Sequence, residues 1–459
     1  MKLRDYQDDL ANRTRDAFRR KRKRVVIVLP TGGGKTVIFS YIASNAVALG
    51  NRVWIIAHRK ELTRQAGATL AQFGVYHGVI RSGEPMDADC MVQVCSIDSL
   101  PSRVGKIPPP DLIIIDEAHH AISSKYTKVL DAYPDARVIG VTATPQRLDG
   151  RGLGDVFEEL IEGPSLGWLT ENGYLSPARY YAPPVPLDMT GVRKIRGDYD
   201  TAALEAAMNK PTITGCAVSH YQKYCDGQPM LSFCVSVQHA KDVAAEYRMA
   251  GYRAAAVDGK MKDAERDDCI EGLGTGKWQI ITSCDLIGEG LDVPVVSGAQ
   301  LLRPTESLIL FLQQVGRVLR KADGKTHATI LDHVGNCQRH GLAHDPREWT
   351  LDGRKSKNKG EGEILVRECP ECYRAHKPTP TCPYCGWVYP AMPKSRAEIR
   401  AGELEEIKAI AARKKIEERD CKTVEDFIRL GISRGYAKPE IWARVRMNVR
   451  KGRFTHKIK

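Results

Sequence analysis

Three short stretches of this chain carry residue types at spacings that can do chemistry. Leu29-Pro30-Thr31-Gly32-Gly33-Gly34-Lys35-Thr36 sets three glycines before a lysine and a hydroxyl. Glycines let successive backbone N–H groups curl around phosphate oxygens with no Cβ in the way. Lys35 is placed to neutralise β- and γ-phosphates, and Thr36 to ligate Mg²⁺. The stretch departs from the P-loop pattern only at its first position, where Leu29 replaces glycine. Asp116-Glu117-Ala118-His119 ends an apolar run. A carboxylate there is placed to hold the Mg²⁺ of a bound nucleoside triphosphate, with Glu117 orienting the attacking water. Cys369, Cys372, Cys382 and Cys385 form two CxxC knuckles nine residues apart, a spacing that supplies four thiolates to a tetrahedral Zn²⁺. Four protein ligands leave no open position, so that site is expected to be structural.

The elements around these stretches suit them. Val25–Leu29 is a β-branched run feeding the glycines, and a helical pattern follows. Val53–Ala57, Leu112–Asp116 and Val138–Thr142 read as further strands, and Met230–Val235, Gln279–Thr282 and Thr329–Asp332 as a second set. Continuous apolar runs of this length suit strands buried on both faces of a parallel sheet. Alternation with helices predicts α/β, doubly wound domains. The expected layout is residues 1–175 as a nucleotide-binding domain, 176–212 as a connector rich in Pro and Gly, and 213–350 as a second α/β domain. Residues 351–392 are expected to hold a linker and zinc ribbon, and 393–459 a basic helical region.

Composition narrows the class. The 459 residues carry 69 Lys and Arg against 56 Asp and Glu, a formal charge of +13, which favours phosphate-backbone partners. No run is long and apolar enough to span a bilayer, and the first residues lack a signal-peptide pattern, so a cytoplasmic protein with no membrane partner is expected. The nine cysteines outside the knuckles read as buried thiols in a reducing compartment. The run Arg19–Arg24 reads as a solvated helix end.

The order of Leu3–Gln7, Pro30–Thr36, Asp116–His119, Thr142–Pro145 and Gln313–Arg320 resembles that of superfamily-two, DEAH-box helicases with two tandem RecA-like domains. Leu302–Ser307, leading into Gln313–Arg320 and then Leu331–Asn336, is most similar to the bacterial RadD-like DNA-repair helicases and related phage helicases. The resemblance covers roughly residues 1–340. It implies that Gln7 reads the adenine edge, that Arg4 lies near the base, and that Thr31, Gly32, Gly33, Gly34, Lys35 and Thr36 cradle the phosphates. Within the fifth motif, Gly290 and Asp292 are implied near the ribose. His119, Thr142 and Thr144 are implied to couple nucleotide state to domain closure. Gln313, Arg317 and Arg320 are implied to complete the catalytic set from the second domain. Arg59, Gln65, Ser96, Ser236 and His239 are implied along a nucleic-acid track, where they would position a strand rather than read sequence.

The function expected is an ATP-dependent DNA helicase or translocase in repair, recombination or replication. It would use ATP, Mg²⁺ and Zn²⁺ in a bacterial or phage-infected cell, alongside single-strand-binding or replication proteins. An RNA helicase, and a nucleic-acid clamp or adaptor that uses ATP as a switch, are the alternatives. A restriction-system motor is a further rival, though no nuclease motif is evident.

Overall fold

The computed structural model describes residues 1–146, 152–182, 192, 194–195, 198–200, 204–205, 211–284, 293–352, 366–389, 421, 423–433, 439–440, 443–444 and 447. Gly290 and Asp292 and most of the basic helical region expected at 393–459 lie outside them.

Helix α1 (Asp5–Arg19) precedes β1 (Arg24–Val28), α2 (Lys35–Ala48), β2 (Val53–Ala57) and α3 (Lys60–Gln72). Then come β3 (Gly78–Ile80), β4 (Val92–Ser96), β5 (Leu112–Asp116), α4 (Ser124–Ala132), β6 (Arg137–Thr142) and β7 (Glu159–Glu162). These seven strands form one parallel sheet in the order β3-β4-β2-β5-β6-β1-β7. Its middle strands are buried along their length; Ile113, Ile114 and Ile115 have no exposure. Burial on both faces is why the sequence shows unbroken β-branched runs here rather than alternation.

After α5 (Leu166–Glu171), the chain lays down β8 (Ala178–Tyr181), the short hairpin β9 (Lys194–Ile195) with β10 (Asp198–Tyr199), and α6 (Pro211–Cys225). A second parallel sheet follows. It comprises β11 (Met230–Phe233), α7 (Val237–Met249), β12 (Ala254–Val257), α8 (Asp263–Thr275), β13 (Ile280–Ser283), β14 (Gly298–Leu301), α9 (Leu308–Gly316), β15 (Ala328–Asp332) and α10 (Asn336–His340). The strand order is β12-β13-β11-β14-β15-β8. The fold is therefore α/β with two doubly wound parallel sheets of the RecA type. Strand β8, from the segment expected as a connector, is the edge strand of the second sheet. Its register sets Tyr181 beside Leu331.

The cysteine knuckles hang on that edge. β16 (Arg367–Glu368) and β17 (Ala375–His376) form a two-stranded antiparallel ribbon. Tyr181 bridges to Arg374, and Ala182 N–H donates to Tyr373 O at 3.1 Å. Residues 1–387 form one compact unit and 388–459 another. In the latter, α11 (Val424–Ser433) buries Phe427 against Cys421, Ala443 and Met447. Among the described residues no helix is long and apolar enough to cross a membrane.

Candidate nucleotide site and cysteine centre

The P-loop leaves β1 and turns into α2 with Gly34 as its N-cap, so Lys35 and Thr36 stand in the first helical turn. A helix N-terminus offers unpaired N–H groups and the positive end of the dipole to an anion. Gly32 and Gly34 have φ of +85° and +86°. A Cβ on Gly34 would lie 2.3 Å from Gln7 Nε2, and one on Gly32 would lie 2.8 Å from Leu175. Both positions therefore need glycine for conformation, and a methyl there would also have to push those side-chain ends aside.

Asp116 ends β5 beside β1's neighbour β6, and both Asp116 and Glu117 are buried. Glu117 has a φ of +50°, a strained conformation for a non-glycine residue and one that active sites often hold. Lys35 Nζ is 3.8 Å from Glu117 Oε1. His119 Nδ1 is 3.4 Å from the other Glu117 oxygen and 3.3 Å from Thr142 Oγ1. The Thr142 hydroxyl in turn donates to Thr144 O at 2.9 Å. With that proton committed, the network assigns the hydrogen of His119 to Nδ1, which donates to Thr142. One chain of contacts thus runs from Lys35 through Glu117 and His119 to Thr142 and Thr144.

A cleft of about 360 Å³ gathers residues of both sheets: Lys35, Thr36, Asp116 and Glu117 from the first, Arg317 and Arg320 from the second. Arg317 caps α9, and Gln313 is buried one turn earlier. Burial lowers the Arg320 pKa from its ordinary value, as expected for a cation short of solvation. Arg320 belongs to a bridge with Leu175, and Lys325 Nζ braces the turn behind it. That ammonium donates its three protons to the carbonyls of Val318 and Arg320 (2.7 Å each) and Val296 (2.6 Å), with Pro294 O at 3.2 Å sharing one of them. A row of ion pairs joins α3 to α8 across the sheets: Lys60 with Asp263, Glu61 with Arg266 at 2.6 Å and Arg64 with Asp267 at 2.8 Å.

The adenine-side expectations meet a busier surface. Gln7 Oε1 accepts from Arg4 N–H at 3.0 Å and its Nε2 donates to Gly33 O at 3.3 Å, so this amide holds the P-loop. Tyr6 donates to the same carbonyl at 2.8 Å. The Arg4 guanidinium lies 4.8 Å from the Tyr174 ring, which packs with Tyr6 and Trp168. Sequence reading missed this aromatic wall, because Trp168 and Tyr174 lie over 160 residues from Arg4 and match no short motif. It also missed a row of imidazoles, His58, His120 and His119, with neighbouring centroids 4.3 and 4.2 Å apart.

The expected strand contacts separate. Arg59 caps α3 and Ser96 ends β4. Gln65 lines the nucleotide cleft. Ser236 caps α7, accepting from His239 N–H at 3.0 Å and donating to Glu205 at 2.6 Å. His239 has no exposure, and its Nδ1 accepts from Val235 N–H at 3.3 Å. The structure gathers these two side chains into a helix cap rather than presenting them at the surface.

The four knuckle sulfurs lie within 4.8 Å of one another. Cys369 and Cys385 are 3.5 Å apart, and Cys372 and Cys382 3.8 Å. A zinc tetrahedron with Zn–S of about 2.3 Å has edges of about 3.8 Å, so the thiols fit the ion. Burial raises the Cys369 thiol, but the backbone N–H groups of Cys372 and Glu371 outweigh it and bring its pKa down.

Comparisons with known proteins agree with this architecture. Residues 1–147 match the family model of the type III restriction enzyme res subunit, and 217–322 match the helicase conserved C-terminal domain. A 51.5 kDa protein of a Lactococcus phage is 35% identical over 76% of this chain and 74% of its own length. The putative ATP-dependent helicase IRC3 of Saccharomyces cerevisiae is 30% identical over 72% of this chain, which spans 51% of that protein. The DNA 3'-5' translocase XPB2 of Sulfurisphaera tokodaii is 25% identical over 70% of this chain and 80% of its own length. Among solved structures, a fragment of a putative HsdR subunit of a type I restriction enzyme from Vibrio vulnificus YJ016 shares the fold. Its TM-score is 0.60 at 23% identity, over 76% of this chain and 67% of that one. With both walls of its cleft inside the matched stretches 1–147 and 217–322, the chain belongs to the superfamily-two helicases, enzymes that hydrolyse ATP to act on nucleic acid.

Proposed function

We propose that this helicase is a motor on DNA, serving repair, recombination or replication. The observation that carries the motor reading is the shared cleft, with Lys35 and Glu117 on one wall and Arg317 and Arg320 on the other. In this reading the P-loop from Thr31 to Thr36 holds the triphosphate, Asp116 and Thr36 hold Mg²⁺, and Glu117 orients the attacking water. Mg²⁺ supplies charge neutralisation at the β- and γ-phosphates. Arg317 and Arg320 stabilise transition-state charge from the second sheet, so hydrolysis requires the two sheets to be together. Gln313 sits behind them. The Glu117–His119–Thr142–Thr144 chain passes nucleotide state to the C-terminal end of β6 and so couples it to domain closure. Gln7 acts by shaping the P-loop, with Arg4 at the aromatic wall beside the base.

The DNA preference is supported by the resemblance of Leu302–Ser307 and Leu331–Asn336 to DNA-repair helicases and by the relative named as a DNA translocase. Arg59 and Ser96 contact the strand's backbone in this reading. The four-cysteine centre takes zinc and anchors the ribbon to β8. Single-strand-binding or replication proteins are the partners inferred.

The test is steady-state ATP hydrolysis with no polymer, single-stranded DNA, forked DNA, duplex DNA and RNA, with Lys35→Ala as control. Stimulation by a DNA form, lost in Lys35→Ala, supports the motor and names its track. Stronger stimulation by RNA would replace DNA with RNA, and turnover indifferent to every polymer would favour the clamp.

A further inference from the structure

A second cavity, of about 350 Å³, lies at the joint between α6, the ends of β8 and β15, and the first cysteine knuckle. That volume falls in the range of small-ligand sites, roughly 300–1,000 Å³. Its walls are aromatic. Tyr181 and Tyr224 stack at 4.2 Å with 26° between their planes. Tyr373 faces them from the knuckle. Lys223 Nζ lies 5.1 Å from the Tyr224 ring centroid and 5.0 Å from that of Tyr373. Both rings therefore flank the point that the Lys223 ammonium holds, and a planar ring taking its place as the flexible lysine swings aside would lie within the 4.5–7 Å or so at which aromatic centroids pack.

Tyr373 is held there under strain. The two knuckles repeat the pattern Cys-Pro-x-Cys followed by one residue, Tyr373 in the first and Gly386 in the second. Both have left-handed backbones, with φ of +58° and +77°. Glycine adopts that conformation freely, whereas a bulky residue does so at a cost. Besides Lys21 and Glu117, Tyr373 is the only non-glycine residue with positive φ among the described residues. A strained residue that fills a pocket wall, where its sister position uses glycine, points to a role for the ring.

The chemistry of the ligand follows from the charges. Lys223 and Arg374, whose guanidinium is 5.7 Å from the Tyr181 ring, stand beside the aromatic faces and disfavour a cation. The pocket's acid, Asp332, accepts from the backbone N–H groups of Val334 and Cys337. A flat ring attached to an anionic link fits both features. The second sheet is parallel, so the pocket at β15 and β8 lies along the same strand-end edge as the loop after β11, the edge where such sheets bind ligands.

We infer that this pocket binds a nucleobase of a single strand, the base stacking between Tyr224 and Tyr373 while Lys223 takes the flanking phosphate. The inference rests on the reading that the protein works on a nucleic-acid strand, and it gives the cysteine ribbon a part in gripping that strand. It also gives a use to Leu331–Asn336, whose Asp332 and His333 line the pocket floor.

The experiment uses the full chain and a single-stranded oligonucleotide carrying 2-aminopurine, with an abasic twin of equal length. Wild type should quench the aminopurine on binding. Tyr224→Ala should weaken the intact strand about 5- to 150-fold, the span of one base–aromatic stack, and leave the abasic twin within about twofold. Tyr224→Phe should behave as wild type. Lys223→Gln should lower the salt slope by about 0.7. Absence of quenching in wild type would overturn the proposal without any variant, as would equal loss on both strands. Adenosine monophosphate that removes the quenching while the strand stays bound would support the pocket, since its base competes for the same stack. Strand binding and polymer-stimulated hydrolysis that survive alongside any of these results would leave the motor reading intact; no strand binding at all would sink both.

Discussion

Lys35 Nζ stands 3.8 Å from Glu117 Oε1, so the cation of the P-loop and the carboxylate of the acidic motif already face each other across the phosphate cleft. Replacing Glu117 with Gln keeps the shape and removes the charge. Turnover of ATP should fall about 10²–10⁴-fold, the usual contribution of a positioned acid–base group. Nucleotide affinity, read with a fluorescent analogue, should change only a few-fold. Lys35→Ala should lose both. Turnover at wild-type rates in Glu117→Gln would remove Glu117 from the chemistry.

Arg320→Ala and Arg317→Ala test the second wall. An arginine supplied across a cleft to a transferring phosphoryl group is worth about 10³–10⁵ in rate. Single-turnover hydrolysis should drop by at least about 10³ in one of them, with nucleotide still bound. A loss confined to nucleotide affinity would make these residues ground-state ligands.

Gly34→Ala should harm the cleft without touching any charge. Its backbone is left-handed at +86°, and its new methyl would meet Gln7 Nε2 at 2.3 Å. The backbone conformation alone costs about 1–2 kcal/mol for an L-residue. A lower melting temperature and weaker nucleotide binding are expected together; an unchanged melting curve would show that the loop relaxes freely.

Elemental analysis of purified protein should find about one zinc per chain. Cys382→Ser should lose it and loosen the ribbon from β8, seen as faster amide exchange at Ala182, whose N–H donates to Tyr373 O. Full zinc occupancy in that variant would reject the four-thiolate assignment.

His333 offers a pH test. Burial, with His220 adding, pushes its pKa down to about 3, against an ordinary 6.5. Between those values the unfolded chain binds a proton that the folded chain does not. Stability therefore falls as pH drops from about 6.5 toward 3, by about 1.4 kcal/mol per unit for this one group. Denaturant melts of wild type and His333→Asn should give a difference curve with that slope below about pH 6.5. A flat difference would show that His333 is protonated in the fold.

The nucleotide wall was legible because its signals are local. The glycines, Lys35 and Thr36 are contiguous, and β1 and β5 announce themselves by β-branched runs. Strands β12 and β14 lack such runs; Ala254–Val257 and Gly298–Leu301 become strands through their neighbours in the sheet. Gln65 lines the nucleotide cleft because the phase of α3 turns it there, which spacing from Arg59 alone does not specify. Ser236 and His239 carry a motif's residue types, yet the serine is a cap and the histidine is buried. Tyr181, Tyr224 and Tyr373 meet only through the fold, so no spacing in the sequence groups them into one pocket.

Lys325 has a mechanical consequence. Its one ammonium grips carbonyls at Pro294 and Val296 on one side and at Val318 and Arg320 on the other. Those two backbone segments then behave as a single crank rather than two independent levers. A displacement of the stretch entering β14 is therefore shared with the turn that carries Arg320.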